Sequence, residues 1–283
     1  MSEKHPPLFD FSAKQRAQKR ANRLAGDRFL DAAALEGLTE RLVPVTRRFE
    51  RGLWIGEEVP AAIHPFAQQW DCADFGPDEV LAAAPSDEKG PFDLAVSLFS
   101  LQWINDLPGA LIQINRLLKP DGLFLAALMG AGTLTELRDA FAQAEIQTRG
   151  GISPRVSPFA DVRDLGSLLQ RAGFALPVTD VERLVVRYRD FAGLVKDLRA
   201  HGLTNVMSAR SRQLLRRDTL TALLAHYAGH HADSDGRLRA RFETLYLTGW
   251  SPHESQQQPL KPGSAKGRLA EALGTAEHRL KGD

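Results

Sequence analysis

Phe92-Asp93-Leu94-Ala95-Val96-Ser97-Leu98, then Leu107, Leu111, Ile114 and Leu118, then Lys119-Pro120-Asp121-Gly122, then Leu123-Phe124-Leu125-Ala126-Ala127-Leu128, is the stretch that decides the fold. The first run is apolar at nearly every position, which is how a strand covered on both faces reads, and such strands belong to parallel sheets. The second set recurs at i, i+4, i+7 and i+11, one face of a helix. Lys119 to Gly122 is expected to stop that helix in a tight turn, and the next apolar run reads as a second strand. Strand, helix and strand in this order predict a right-handed βαβ unit with parallel strands.

Upstream, Phe49 to Ile55 is a short apolar run ending in Gly56, a buried strand running into a turn. Before it, Phe29-Leu30 through Leu35, Leu38 and Leu42 form an amphipathic pattern, preceded by a basic stretch from Lys14 to Arg28. Such a stretch reads as a solvated helix face or as a dock for an acidic partner. Its arginines also suit a transit peptide, but it runs straight into the amphipathic pattern. Downstream, Thr133-Leu134-Thr135-Glu136 has a capping-box pattern, and Gly150 to Pro158 is a Gly/Pro-rich loop of the kind that forms lids and binding loops. Val162 to Ala172 reads as a helix ended by Gly173. Val181–Tyr188 and Phe242–Trp250 read as strands, with helical sequence between, from Phe191 to His231.

The fold expected is therefore α/β: a mixed sheet with helices on both faces, those last two strands pairing antiparallel at one edge, and helical accessory segments at both ends. Residues 1–45 are expected to form a basic helical segment, 46–255 the main domain with a helical insertion at about 190–232, and 256–283 a polar tail.

Composition excludes several classes. The 283 residues are 43% hydrophobic and 25% charged, ordinary for a globular chain. Lys+Arg 36 against Asp+Glu 35 gives +1, without the basic excess of a nucleic-acid binder. The lone Cys72 excludes a disulfide framework or a multi-cysteine metal site. No apolar run approaches the ~18 residues of a membrane span, and the N-terminus has no apolar core of a secretory signal. A cytoplasmic protein is expected.

Ligands of doubly wound sheets bind beyond the carboxyl ends of the strands. The first such end is Gly56, but the turn continues Glu57-Glu58-Val59-Pro60, which adds charge and removes an N–H donor, so it is a poor glycine loop. Among possible metal ligands, His226 and His230 have i,i+4 spacing, yet Asp233-Ser234-Asp235-Gly236 follows. A surface helix with no metal is expected there.

Four blocks carry a family resemblance: Ser100-Leu101-Gln102-Trp103-Ile104-Asn105-Asp106-Leu107-Pro108, Leu118 to Gly122, Gly151-Ile152-Ser153-Pro154-Arg155-Val156-Ser157-Pro158-Phe159, and Gly249-Trp250-Ser251-Pro252-His253-Glu254-Ser255-Gln256. In this order, with Leu8-Phe9-Asp10 ahead of them, they resemble the complex I assembly factor 5 family, methyltransferase-fold proteins that include an arginine hydroxylase. The resemblance runs from about residue 8 to about residue 270 and lapses after Gly56. It implies a class I (Rossmann-like) methyltransferase fold, an S-adenosylmethionine pocket, and modification of an arginine in the iron–sulfur subunit of NADH dehydrogenase. The family's first motif is an acid followed by a Gly-x-Gly-x-Gly turn; here Trp54 replaces the acid and only Gly56 survives. The interval from Gly56 to Phe92 is also shorter than a full helix–strand–helix–strand passage requires, so an element is expected to be trimmed.

Within that frame Gly56, Asp74, Ser97, Leu101 and Gln102 are the expected cofactor contacts, with Asp74 the acid that meets ribose or adenine. The alternatives are a solvated Asp74 and a purely structural Leu98–Gln102 stretch, with Trp103 read as core rather than as a cofactor stack. His253 and Glu254 are the candidates for proton transfer, and Arg155 and Glu254 for substrate binding. Both family-like loops are expected to face the cleft beyond Gly56, Leu98 and Leu128. Three functions remain open from sequence: an arginine hydroxylase-like assembly factor, an ordinary methyltransferase on a small-molecule or protein acceptor, and a non-catalytic assembly chaperone with a degenerate pocket.

Overall fold

Apolar alternation along the strands sets the layers. A computed structural model describes residues 6–24, 26–82 and 90–257. Residues 1–252 form one compact unit and residues 253–283 a second, of which 253–257 are described; the tail beyond Pro259 lies outside the described residues. The helices are α1 (Phe11–Leu24), α2 (Phe29–Leu42), α3 (Leu107–Leu117), α4 (Thr135–Arg149), α5 (Val162–Arg171), α6 (Phe191–Ala200) and α7 (Arg217–His230). The strands are β1 (Phe49–Ile55), β2 (Ala67–Ala73), β3 (Phe92–Leu98), β4 (Leu118–Met129), β5 (Ala175–Tyr188) and β6 (Leu238–Trp250).

Among the described residues the strands make one sheet in the order β2-β1-β3-β4-β6-β5. β1, β2, β3 and β4 are parallel; β6 runs antiparallel to both β4 and the edge strand β5. The expected βαβ unit is β3–α3–β4, and the expected antiparallel pair closes the sheet, with β5 starting six residues earlier than its β-branched core.

Successive residues point to opposite faces, and both faces are covered. Leu53, Ile55, Ala95, Phe124, Ala126 and Leu128 pack with Leu111 and Ile114 of α3 and Leu165 and Leu169 of α5. Their neighbours Trp54, Leu94, Val96, Leu123, Leu125 and Ala127 pack with Ala34, Leu38 and Leu42 of α2. Gly37 permits this approach, because a Cβ there would collide with the Tyr246 hydroxyl of β6. α4, α6 and α7 share a third cluster with Tyr188, Leu238 and Phe242. Caps fix the helix starts: the carboxylates of Asp106, Asp161 and Asp190 accept from the N–H groups of Gly109, Arg163 and Gly193 at 2.8–2.9 Å.

Three local expectations are corrected, and a fourth, a trimmed element after Gly56, holds. Lys119 to Gly122 does not precede the strand but lies inside β4 as a bulge: Phe92 pairs with Leu118, then Leu94 with Leu123, and Asp121 takes φ +63°. The capping box does not form. Leu134, at φ +56°, precedes α4, while the Thr133 hydroxyl bonds Glu243 of β6 and the Glu136 carboxylate accepts from Arg241 N. The stretch from Phe191 to His231 is two helices, α6 and α7, joined by sixteen irregular residues, 201–216. The trimmed element is the β1–β2 crossover helix, reduced to a 3₁₀ turn at His64–Phe66.

Candidate active-site cleft

Because β1, β2 and β3 are parallel, their carboxyl ends meet on one side of the sheet, and a cavity of about 310 Å³ opens there. That is the lower end of the size range of small-molecule sites. Its floor is the turn after β1, Gly56 to Glu58, with Asp74 directly after β2, Leu98 at the end of β3 and Phe99-Ser100 directly after it. Gly56 has φ +156°, and a Cβ on it would sit 2.7 Å from the Trp54 indole nitrogen, so only glycine fits. Phe99 is held at φ +52°, with its N–H on the Ala127 carbonyl, and the Ser100 hydroxyl reaches 3.0 Å to the Ile55 carbonyl. Strained backbone of this kind collects at functional sites.

The opposite wall comes from sequence far away. α1 contributes Gln18, Ala21 and Asn22, the start of α2 contributes Arg28 and Asp31, and the turn after α6 contributes His201, Gly202 and Leu203. The His201 side chain is 1% exposed, and neither ring nitrogen has a hydrogen-bond partner. Its Nδ1 stands 3.9 Å from the Asp31 carboxylate, and the Phe29 ring meets it edge-on at 4.9 Å. Burial pulls its pKa below the ordinary 6.5, so the imidazole is neutral at pH 7. Among the described residues the cleft is acidic: Asp31, Glu57, Glu58 and Asp74 face it against the guanidinium of Arg28, which pairs with Asp31.

Of the expected contacts, Gly56, Asp74 and Gln102 line this cleft; the Gln102 carbonyl oxygen also accepts the Met129 N–H at 2.9 Å. Ser97 does not line it, being fully buried between β1 and β4, and Leu101 is fully buried against a smaller adjoining cavity shared with Phe159. Trp103 packs edge-on to Phe9 at 5.4 Å, core as expected, while touching the cleft rim. Arg155 is drawn away from the cleft by Glu145 of α4, fully buried, whose Oε1 lies 2.7 Å from the guanidinium. Burial pushes the Glu145 carboxyl up, but hydrogen bonds from Ser153 and Arg155 outweigh it and hold its pKa below the ordinary value.

The loop expectation fails for Gly249 to Pro252. β6 is antiparallel, so Trp250 lies opposite Leu123, and Ser251 bonds Gly122, at the amino end of β4 and away from the cleft. His253 and Glu254 belong to the second unit. Both are exposed, and there His253 Nδ1 lies 2.7 Å from the Ser255 hydroxyl. His226 is also not the bare surface residue expected. It and His231 both meet Asp139, at 2.9 and 2.8 Å. His201, Asp31 and Arg28 escaped sequence reading because their approach to Gly56 exists only in the folded chain.

A family model described as a methyltransferase domain matches residues 10–177. The chain is 43% identical over 184 residues to "Arginine-hydroxylase NDUFAF5, mitochondrial" of Danio rerio, covering 65% of this chain and 57% of that protein. It is 37% identical over 174 residues to a malonyl-[acyl-carrier protein] O-methyltransferase of Laribacter hongkongensis, covering 62% and 56%. The chain thus spans about half the length of the curated relatives it matches. Among solved structures, the YcgJ protein of Bacillus subtilis aligns over 77% of this chain and 99% of its own at TM-score 0.50 and 14% identity, a likeness of fold. No helix among the described residues is long and apolar enough to cross a membrane. By the family model and the fold, the chain belongs to the family of methyltransferase domains.

Proposed function

We propose that the cleft binds S-adenosylmethionine and that the protein modifies an arginine side chain of a protein substrate, the iron–sulfur subunit of NADH dehydrogenase, as an assembly factor of the arginine-hydroxylase kind. The observation that carries this reading is the charge of the cleft: among the described residues, four carboxylates against one guanidinium line the cavity beyond the carboxyl ends of β1, β2 and β3. Such a surface favours cationic guests, which describes both a sulfonium cofactor and a guanidinium.

The residues present fit the cofactor in three respects. Gly56 lets a ligand approach the backbone where a side chain would not fit. Asp74 follows β2, and one of its oxygens accepts the Phe75 N–H at 2.8 Å, which orients the carboxylate toward hydroxyl donors. Gln102 and Ser100 supply polar groups on the β3 side. The missing later glycines are the misfit: Pro60 offers no N–H, so recognition falls to the side chains of Asp74, Glu57 and Glu58 instead of a glycine cradle.

Bound there, S-adenosylmethionine supplies a methyl group on a positively charged sulfur. The chain's part is to hold an acceptor in line with that group, since proximity and alignment supply most of the rate of such a transfer. Neutral His201 packs into the wall beside Asp31 with both ring nitrogens buried. Hydroxylation has a different balance: one oxygen enters a C–H bond and two electrons leave the substrate carbon, so an external oxidant such as dioxygen with a reductant is required. The second reading, methyl transfer to a carboxylate, rests on the O-methyltransferase relative; the acidic cleft opposes an anionic acceptor.

Calorimetry of the full chain with S-adenosylmethionine tests the cofactor. Binding with Kd below about 100 µM is expected, weakened about 10-fold or more in Asp74→Ala. No heat up to about 1 mM would discard the cofactor and leave the chaperone reading. The mass gained by an arginine-bearing substrate then separates the chemistries, one oxygen for hydroxylation and one CH₂ for methylation.

A further inference from the structure

We propose that Asp139, His226 and His231 form a binding site for one divalent transition-metal ion, of the borderline class that imidazole and carboxylate select. The site lies between α4 and the end of α7 and shares no residue with the cleft. Both histidines present Nε2, and both aim it at the same carboxylate oxygen, Asp139 Oδ2, at 2.9 and 2.8 Å. The three donor atoms lie within 4.8 Å of one another. Donors held ~2.0–2.1 Å from a tetrahedral ion stand roughly 3.3 Å apart, so each histidine nitrogen backs off Asp139 by about half an ångström and the two nitrogens close on each other by at most about 1.5 Å as an ion enters.

The arrangement is built by the fold. Residues 226 and 231 are five apart, and on a continuous helix their side chains would diverge by roughly 140°. α7 ends at His230, and His231 leaves the helix at φ −125°, ψ 12°, which swings its ring back beside that of His226. The i,i+4 partner His230 instead stacks on His226 at 4.1 Å, turns its own Nδ1 to the His226 carbonyl, and stays outside the group of donors that lie within 4.8 Å of one another. The Tyr227 ring flanks His231 edge-on at 5.6 Å. α4 and α7 are locked together elsewhere, by the Thr148–Thr219 hydroxyl pair at 2.9 Å and by Leu137, Leu223 and Tyr227 in their shared apolar cluster. Ligands on packed helices hold their geometry before the ion arrives.

Two imidazoles and one carboxylate are the donor set of mononuclear zinc sites and of non-haem iron(II) sites alike. The histidine side chains are 20% exposed and Asp139 is 43% exposed, so a bound ion keeps positions open to water.

The test uses the full chain freed of metal with a chelator and titrated calorimetrically with zinc sulfate and, without oxygen, with a ferrous salt. One equivalent of at least one ion is expected to bind with Kd below about 10 µM, weakened about 30-fold or more in Asp139→Ala and in His231→Ala and unchanged in His230→Ala. Which ion binds tighter assigns the metal. Circular dichroism of the metal-free variants checks their folding. Cobalt(II) added to the unaltered protein gives a variant-free reading through the visible bands of an imidazole-ligated ion. Absence of saturable binding by either ion, or binding that survives Asp139→Ala and His231→Ala, overturns the site.

Discussion

At the scale of single residues, the wall of the cleft carries a cost at His201. A buried polar atom without a partner costs about 1–3 kcal/mol, and this imidazole has two. His201→Phe keeps the planar ring beside Phe29 and removes both atoms, so it is expected to raise stability by about 1 kcal/mol. The pH dependence has a definite sign. Burial lowers the folded pKa below 6.5, so as pH falls under 6.5 the unfolded chain takes a proton that the folded chain resists, and stability is lost toward the lower folded value. Urea midpoints at about pH 7.5 and pH 5.5 check this: the loss should be smaller in His201→Phe, and an equal loss in both proteins contradicts it. None of this was legible in the sequence, where His201 is one histidine after a helix. Gly56 was legible, because it directly follows a strand that its apolar run reveals; Asp74 and Gln102 came only with the family resemblance, since β2 has no apolar run and Gln102 stands four residues past the end of β3. Ser97 and Leu101, from the same stretch, are buried off this cleft, since a position at or after a strand end does not say which side of it a side chain takes.

At the scale of elements, β1 and β3 meet in register only from Gly52↔Leu94 onward. Ahead of that point Asp93, 5% exposed, bridges them: its carboxylate accepts the N–H of Glu50 at 2.9 Å and of Arg51 at 3.0 Å. Asp93→Ala leaves two backbone donors without their charged acceptor and is expected to cost about 2–3 kcal/mol in urea unfolding, with Asp93→Asn costing less because it keeps one acceptor oxygen. Equal stability of wild type and Asp93→Ala would mean that water replaces the bridge. Strands and helices with buried faces were readable because burial writes a period of two or of 3.6 into the chain. The bulge at Lys119–Gly122 was not, since Pro and Gly mark a break without saying whether pairing resumes on the same strand. Thr133 and Glu136 carry a capping pattern, yet partners on β6, more than a hundred residues away, take both side chains. Helix ends at α4 and α7 were therefore decided by tertiary contacts.

At the scale of the whole molecule, the cleft is a junction between a well-anchored sheet and a weakly anchored helix. α1 turns only Ala13, Lys14, Ala17 and Ala21 inward, and a methyl group buries little, about 0.8 kcal/mol each. Its main attachments lie at its start, where the Asp10 N–H bonds the Val206 carbonyl at 2.9 Å, Asp10 pairs with Arg210, and Phe9 meets Trp103. Arg16, Lys19 and Arg23 are exposed on its outer side and offer trypsin its sites. Segments with few apolar contacts open locally at low free energy, so α1 is expected to be an early cleavage site in the ligand-free protein. A ligand that touches both the Gly56 turn and Gln18 or Asn22 of α1 must be released before α1 opens. At about 100 times Kd it adds about 2.7 kcal/mol to that opening, and cleavage then slows up to roughly 100-fold where it follows the open population. Digestion with and without S-adenosylmethionine, with the fragments identified by mass, measures this. Calorimetric binding without protection of Arg16, Lys19 and Arg23 would show that the ligand rests on the sheet side alone and that α1 is not part of its site.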